Sequence, residues 1–165
     1  MPERWVVNAS PLITLAKARH LALLTGLATE VFIPAAVVAE VLNGPATDPA
    51  RQALESGWGT RVAVPNVPVV LQEWGLGAGE TSVLAVALAR GGCTAILDDA
   101  ASRRCARTLG VPVIGTLGVV VRAKHHGQIA SAALVMRALR AAGLYIDDAL
   151  LTLVLRESVG ETWRP

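Results

Sequence analysis

The stretch Arg4-Trp5-Val6-Val7-Asn8-Ala9-Ser10-Pro11-Leu12-Ile13 changes character at its middle. An apolar run of strand length ends at Asn8. A helical pattern then begins at Ser10, with Pro11 standing where a first helical turn accepts a residue that lacks an amide hydrogen. The same change recurs along the chain: candidate strands at 4–8, 31–33, 61–64, 94–97 and 112–114 alternate with helical stretches at 10–24, 34–42, 49–56, 79–90 and 100–109. Several of these helices end at a glycine, as C-caps prefer. Such alternation predicts an α/β fold in which a five-stranded, mainly parallel sheet is covered by helices on both faces. Two or three further helices are expected within 117–157, so that residues from about 117 onward form the C-terminal helices of a single domain spanning 1–165. The Pro-rich stretch 64–68 reads as a loop, and no repeat or linker interrupts the pattern.

Composition agrees with one well-cored domain. Of 165 residues, 53% are hydrophobic and 17% charged, against about a quarter charged in an average soluble domain. Gly and Pro without period, with Val, Leu, Ile and Ala in plenty, exclude collagen-like and disordered chains. The longest uncharged stretch, 108–121, is broken by Gly110, Pro112, Gly115 and Gly118 and falls short of the roughly 18 apolar residues of a membrane span. A soluble protein with no membrane partner is therefore expected. The opening Met-Pro-Glu-Arg-Trp-Val-Val has no secretory pattern, which predicts a cytoplasmic location. Cys93 and Cys105 lack metal-site or paired-thiol spacing and read as buried, reduced thiols. Thirteen of the fifteen basic residues are Arg, but a net charge of +2 does not by itself announce a nucleic-acid binder. The mean hydropathy of +0.49 points to apolar surface covered by a second copy, as a homodimer, or by another partner.

In an open parallel sheet the ligand crevice lies outside the carboxyl ends of the strands. That edge selects Asn8 and Ser10 after the first strand, Glu40 on the helix after the second, Glu80 on the helix before the fourth, and Asp98-Asp99 after the fourth. Glu40 falls in a helical stripe with Ala36, Val37 and Val41, and Glu80 in one with Leu84, Ala87 and Leu88. Both acids are thus expected to lean toward the apolar side, where a carboxylate is costly unless a cation shared with its neighbours neutralises it. Four acids at one edge suggest a metal site. Simpler roles stand beside this one: Glu80 can serve the helix dipole, Glu40 can pair with an Arg, either Asp can be an N-cap, and Asn8 or Ser10 can cap the first helix.

The loop Gly75-Leu76-Gly77-Ala78-Gly79 lacks the spacing of a dinucleotide fingerprint, and an acidic pair after the fourth strand does not suit a receiver-type phosphoacceptor. His20, His125 and His126 match no ligand or triad spacing and read as surface residues. With several acids and no Cys or His cluster, Mg²⁺ or Mn²⁺ suits the site better than zinc. Arg103 and Arg107, one helical turn apart beside the Asp pair, can hold a phosphate or form a solvated helix face.

Taken in order, these motifs resemble the PIN-domain family. They are Val6 through Ile13, Ile33-Pro34 through Glu40-Val41, Leu76-Gly77-Ala78-Gly79-Glu80-Thr81, Leu97-Asp98-Asp99 with Arg103 and Ala106, Gly115-Thr116-Leu117-Gly118, Ala123-Lys124 and Gly127-Gln128-Ile129. The likeness is closest to a prokaryotic branch near the VapC-type toxins of toxin–antitoxin pairs. It implies a PIN-like three-layer sandwich and a Mg²⁺- or Mn²⁺-dependent endoribonuclease that hydrolyses RNA phosphodiesters and is held by a small antitoxin. Carried over by position, Glu40, Glu80, Asp99 and the adjacent Asp98 are the catalytic acids and, with Asn8, the metal ligands. Ser10, Arg103, Arg107 and Thr116 are implied substrate contacts. The first acidic position, usually Asp, is Asn8 here, which removes one negative charge and leaves an alternative: a PIN-like module that grips nucleic acid or protein with weak or lost catalysis.

Overall fold

Five short strands pair throughout in parallel in the computed structural model, which describes residues 2–165. They are β1 (Arg4–Val7), β2 (Glu30–Pro34), β3 (Thr60–Val62), β4 (Cys93–Ile96) and β5 (Val113–Ile114), in the order β3-β2-β1-β4-β5. β1 is central, with Trp5 opposite Val31 on one side and Thr94 on the other, and its Trp5, Val6 and Val7 are wholly buried. The expected strands are all present, and the sheet is entirely parallel where the sequence reading made it mainly so.

Ten helices surround the sheet among the described residues: α1 (Ala9–Lys17), α2 (Ala22–Leu27), α3 (Ala35–Leu42), α4 (Pro49–Glu55), α5 (Val69–Gln72), α6 (Ala78–Arg90), α7 (Ala100–Thr108), α8 (Thr116–His125), α9 (Ala132–Ala141) and α10 (Asp148–Val159). α6 lies across β1, β2 and β4 and packs on α3, while α8 gathers α2, α9 and α10. The long helix expected at 10–24 is two helices. The break falls at Arg19, whose φ of 61° is left-handed; Arg19 and His20 donate their amides back to Ala16 and Leu15, closing α1. The short α5 after the Pro-rich loop has no helical period long enough to announce it. Cys93 and Cys105 are free and buried, and burial pushes the Cys105 thiol up.

This sheet order has a switch point. The chain winds from β1 outward through β2 to β3, then returns to lay β4 on the other side of β1 and β5 beyond it. Two neighbouring strands then lead into connections on opposite sides, which opens a crevice between them at the carboxyl edge. Asn8 follows β1 and Asp98 follows β4, and the Asn8 amide donates to the Ile96 carbonyl at 3.2 Å, so the two strand ends are tied side by side at that crevice.

Candidate metal centre at the carboxyl edge

Asn8 occupies the N-cap position of α1 in extended conformation, yet its side chain makes no capping bond. Instead the amide turns into the crevice and is buried, 4% exposed. Its Nδ2 donates to Glu80 Oε1 at 3.4 Å. A carboxylate can face only the donor end of an amide, so this contact fixes the orientation and leaves Oδ1 looking the other way. Among the described residues Asn8 Oδ1 is the buried side-chain polar atom that has no hydrogen-bond partner. A buried acceptor in that state costs about 1–3 kcal/mol.

Asn8 Oδ1 shares its surroundings with another acceptor. A β-carbon on Gly79 would lie 3.0 Å from Asn8 Oδ1 and 3.0 Å from Glu40 Oε2, so both oxygens converge on the bare Cα of Gly79 in the first turn of α6. Glu80, next in sequence, folds back over Gly77, where a β-carbon would meet its Oε2 at 2.5 Å. Two glycines thus clear a cradle into which one amide oxygen and two carboxylates project. The helix start at α6 also favours acids there, so the dipole role expected of Glu80 is satisfied together with its place in the cluster.

The setting of Glu40 differs from the expectation. Val37, Val38 and Val41 form the buried stripe of α3, and Glu40, at its border, is exposed. Its carboxylate reaches the cradle from the solvent side. Glu80 is half-buried above Leu84 and Ala87, as its stripe predicted.

The Asp pair divides its work. Asp98 accepts the Thr116 amide at 2.7 Å and the Thr116 hydroxyl at 2.6 Å, which binds the end of β4 to the start of α8. Gly115 must be bare because a β-carbon there would meet Asp98 Oδ1 at 2.9 Å and crowd the Arg103 guanidinium. Asp99 is the N-cap of α7, accepting the Ser102 amide and hydroxyl, each at 2.9 Å. Those two bonds, with smaller contributions from the Ala101 amide and Arg104, hold its carboxyl below the usual range. No group of three or more Asp, Glu, His or Cys side chains stands close enough to share a metal among the described residues. Glu40, Glu80 and Asn8 are therefore brought together, while Asp98 and Asp99 stand at the same sheet edge, each engaged with its own helix start.

Of the expected substrate contacts, Thr116 is wholly buried and spent on Asp98, Ser10 is exposed in the first turn of α1, Arg103 donates to the Leu97 carbonyl at 3.4 Å, and Arg107 is exposed. In the last turn of α8, Arg122 pairs with Glu3, Lys124 with Glu161 and the Ala130 carbonyl, and His125 meets the Ser158 carbonyl. Two features had little or no signal in the sequence. Gly79 is recognisable as a cradle only once Asn8 and Glu40 are seen to meet over it. A groove of about 710 Å³, with Asp98 at one end, runs between α7 and the turn before α10 and takes in Arg104 and Tyr145.

The donor set suits a hard cation. Two carboxylates supply two charges, the unpaired amide oxygen supplies a neutral ligand, and neither sulfur nor imidazole is present. The family model described as DUF3368, a PIN domain, matches residues 4–161, nearly the whole chain. No curated protein sequence matches it.

Proposed function

The chain belongs to the PIN-domain family, whose members are in the main nucleases that use divalent metal ions, and from that footing we propose that it is a Mg²⁺- or Mn²⁺-dependent endoribonuclease hydrolysing RNA phosphodiesters. The observation that carries this reading is the unpaired, buried Asn8 Oδ1, which crowds the bare Cα of Gly79 together with Glu40 Oε2, with Glu80 against the same amide. Asn8, Glu40 and Glu80 would hold the ion directly, and Asp98 or Asp99, standing farther along the same edge, would reach it through its water shell. These residues would hold a hard divalent cation, whose chemistry when bound would be to lower the pKa of a water and to offset negative charge gathering on the phosphate oxygens.

The chain's own residues supply the rest. Thr116 fixes Asp98 and so fixes the end of β4. Arg103 and Arg107, at the groove beside Asp98, pair with phosphate oxygens and hold the RNA in register, and Ser10 meets it from the first turn of α1. The physiological role we propose is that of a cytoplasmic toxin, homodimeric and restrained by a small antitoxin. Exposed Val69, Val70, Leu134 and Leu153 are apolar surface of the kind such partners cover.

One observation favours a second reading. An amide at the first position leaves the cradle one charge poorer, which suits a module that binds nucleic acid or protein and cleaves slowly or not at all. Incubating the purified chain with RNA and Mg²⁺ or Mn²⁺, beside Glu80→Gln, separates the two. Metal-dependent cleavage abolished by Glu80→Gln supports the nuclease. RNA bound and left intact by both proteins supports the binding module.

A further inference from the structure

The groove that starts at Asp98 has an unusual wall. Tyr145, the only tyrosine of the chain, is 94% exposed in the turn between α9 and α10, and it lines the groove with Ile146 and Leu150. A fully hydrated aromatic ring in a hydrophobic chain gains nothing for the fold, because it buries no area. Facing the groove from α7 are Arg103, Arg104 and Arg107.

Three arginines against two carboxylates, Asp98 and Asp147, leave the lining of the groove one positive charge in excess. Both carboxylates are held by neutral donors, Asp98 by the amide and hydroxyl of Thr116 and Asp147 by the Leu150 amide at the start of α10. Among the described residues no ion pair engages Arg104 or Arg107. A flat exposed ring, an apolar floor and unpaired guanidiniums together match what unstacked nucleotides require. The ring and floor take a base face, and the guanidiniums take the phosphates on either side. A volume near 710 Å³ lies within the roughly 300–1,000 Å³ of pockets that enclose such groups.

We infer that this groove is a single-strand subsite: it seats an unpaired RNA base against Tyr145, with flanking phosphates on Arg104 and Arg107. It extends the proposed nuclease site in the direction of β5, and it rests on that reading. Because a base must be unstacked to lie on Tyr145, the subsite selects single-stranded over duplex RNA.

The test uses the full chain in EDTA, so that binding is read without cleavage. The probe is a labelled single-stranded RNA of about 12 nucleotides, with a duplex of the same length as control. Tyr145→Ala is expected to weaken single-strand binding about tenfold, the effect of one stacked base, and Tyr145→Phe to restore it. Arg107→Gln should lower the slope of log affinity against log salt by about 0.7. Duplex affinity should not respond to Tyr145. If Tyr145→Ala binds single strands as the parent does while metal-dependent cleavage persists, the subsite is refuted and the nuclease stands. If the parent neither binds nor cleaves RNA, both fall. If Tyr145→Ala instead turns a dimer into a monomer in light scattering with RNA affinity unchanged, a second copy occupies the groove and the subsite is refuted.

Discussion

Asn8 Oδ1 and Glu40 Oε2 meet over Gly79, each 3.0 Å from the place where a β-carbon on that glycine would sit. Both oxygens are acceptors, and that of Asn8 is buried with no donor of the fold to serve it. A cation held between them would satisfy both.

Replacing Asn8 with Asp adds the missing charge. Asn8→Asp also turns the Nδ2 contact with Glu80 into a meeting of two carboxylates. In EDTA the variant is expected to melt below the parent. With Mg²⁺ or Mn²⁺ it should bind the ion more tightly by about 1–3 kcal/mol in calorimetry, on the scale of a hydrogen bond to a charged group, and cleave RNA faster. Unchanged metal affinity would place Asn8 outside the ion's ligands.

Gly79→Ala fills the cradle. The added carbon presses on both oxygens while the helix gains a better helix former, worth up to about 1 kcal/mol. Metal affinity and cleavage should fall at least tenfold with a Tm that is unchanged or raised in EDTA. A loss of Tm as large as the loss of activity would mean that the glycine serves packing alone.

Thr116→Val removes the hydroxyl that serves Asp98 Oδ2 in a buried place. The expected loss is about 1–3 kcal/mol of stability in urea unfolding, with Thr116→Ser recovering most of it. If valine costs nothing, water serves Asp98 equally well and the Thr116 hydroxyl does not fix the end of β4.

Acid should weaken the tie between Glu161 and the start of α9. Burial alone would raise the Glu161 carboxyl, but the amides of Ala133 and Ala132, the Ser131 hydroxyl and Lys124 outweigh it and hold it below its ordinary value. A carboxyl lowered in the folded state stabilises fully above the unfolded value of about 4.3, and that contribution is lost as pH falls through the folded value. Stability measured by urea unfolding should therefore decline below about pH 4.5. Glu161→Gln should be less stable at neutral pH and show a shallower acid decline. Parallel declines would remove Glu161 from this account.

The strands and the carboxyl edge were legible because apolar runs ending in polar residues encode a buried strand and its exit. The setting of Glu40 was not. A position three residues after Val37 falls at the border of the buried stripe, and periodicity alone does not say on which side a long side chain leaves it. For Asn8 the N-cap position was one of two readings, because Pro11 at a first helical position points to Ser10, whereas α1 starts earlier, at Ala9. The turning of the Asn8 amide away from α1 depends on Glu80, which only the pairing of distant segments brings near. The division of labour in the Asp pair was half legible: an N-cap was foreseen for one of the two, and the start of α8 that claims the other supplies Thr116 from outside the local sequence. Tyr145 sits in a turn with no period to read.

The strand at the centre of the sheet is the first one made. Arg4 must wait for Glu30 on one side and for Cys93 on the other. A chain growing from its amino end therefore carries β1 as an open edge until more than half its length has appeared, and such an edge invites pairing with foreign strands. The carboxyl edge is likewise finished late, because Asn8 meets the end of β4 only when the Ile96 carbonyl arrives to accept its backbone amide.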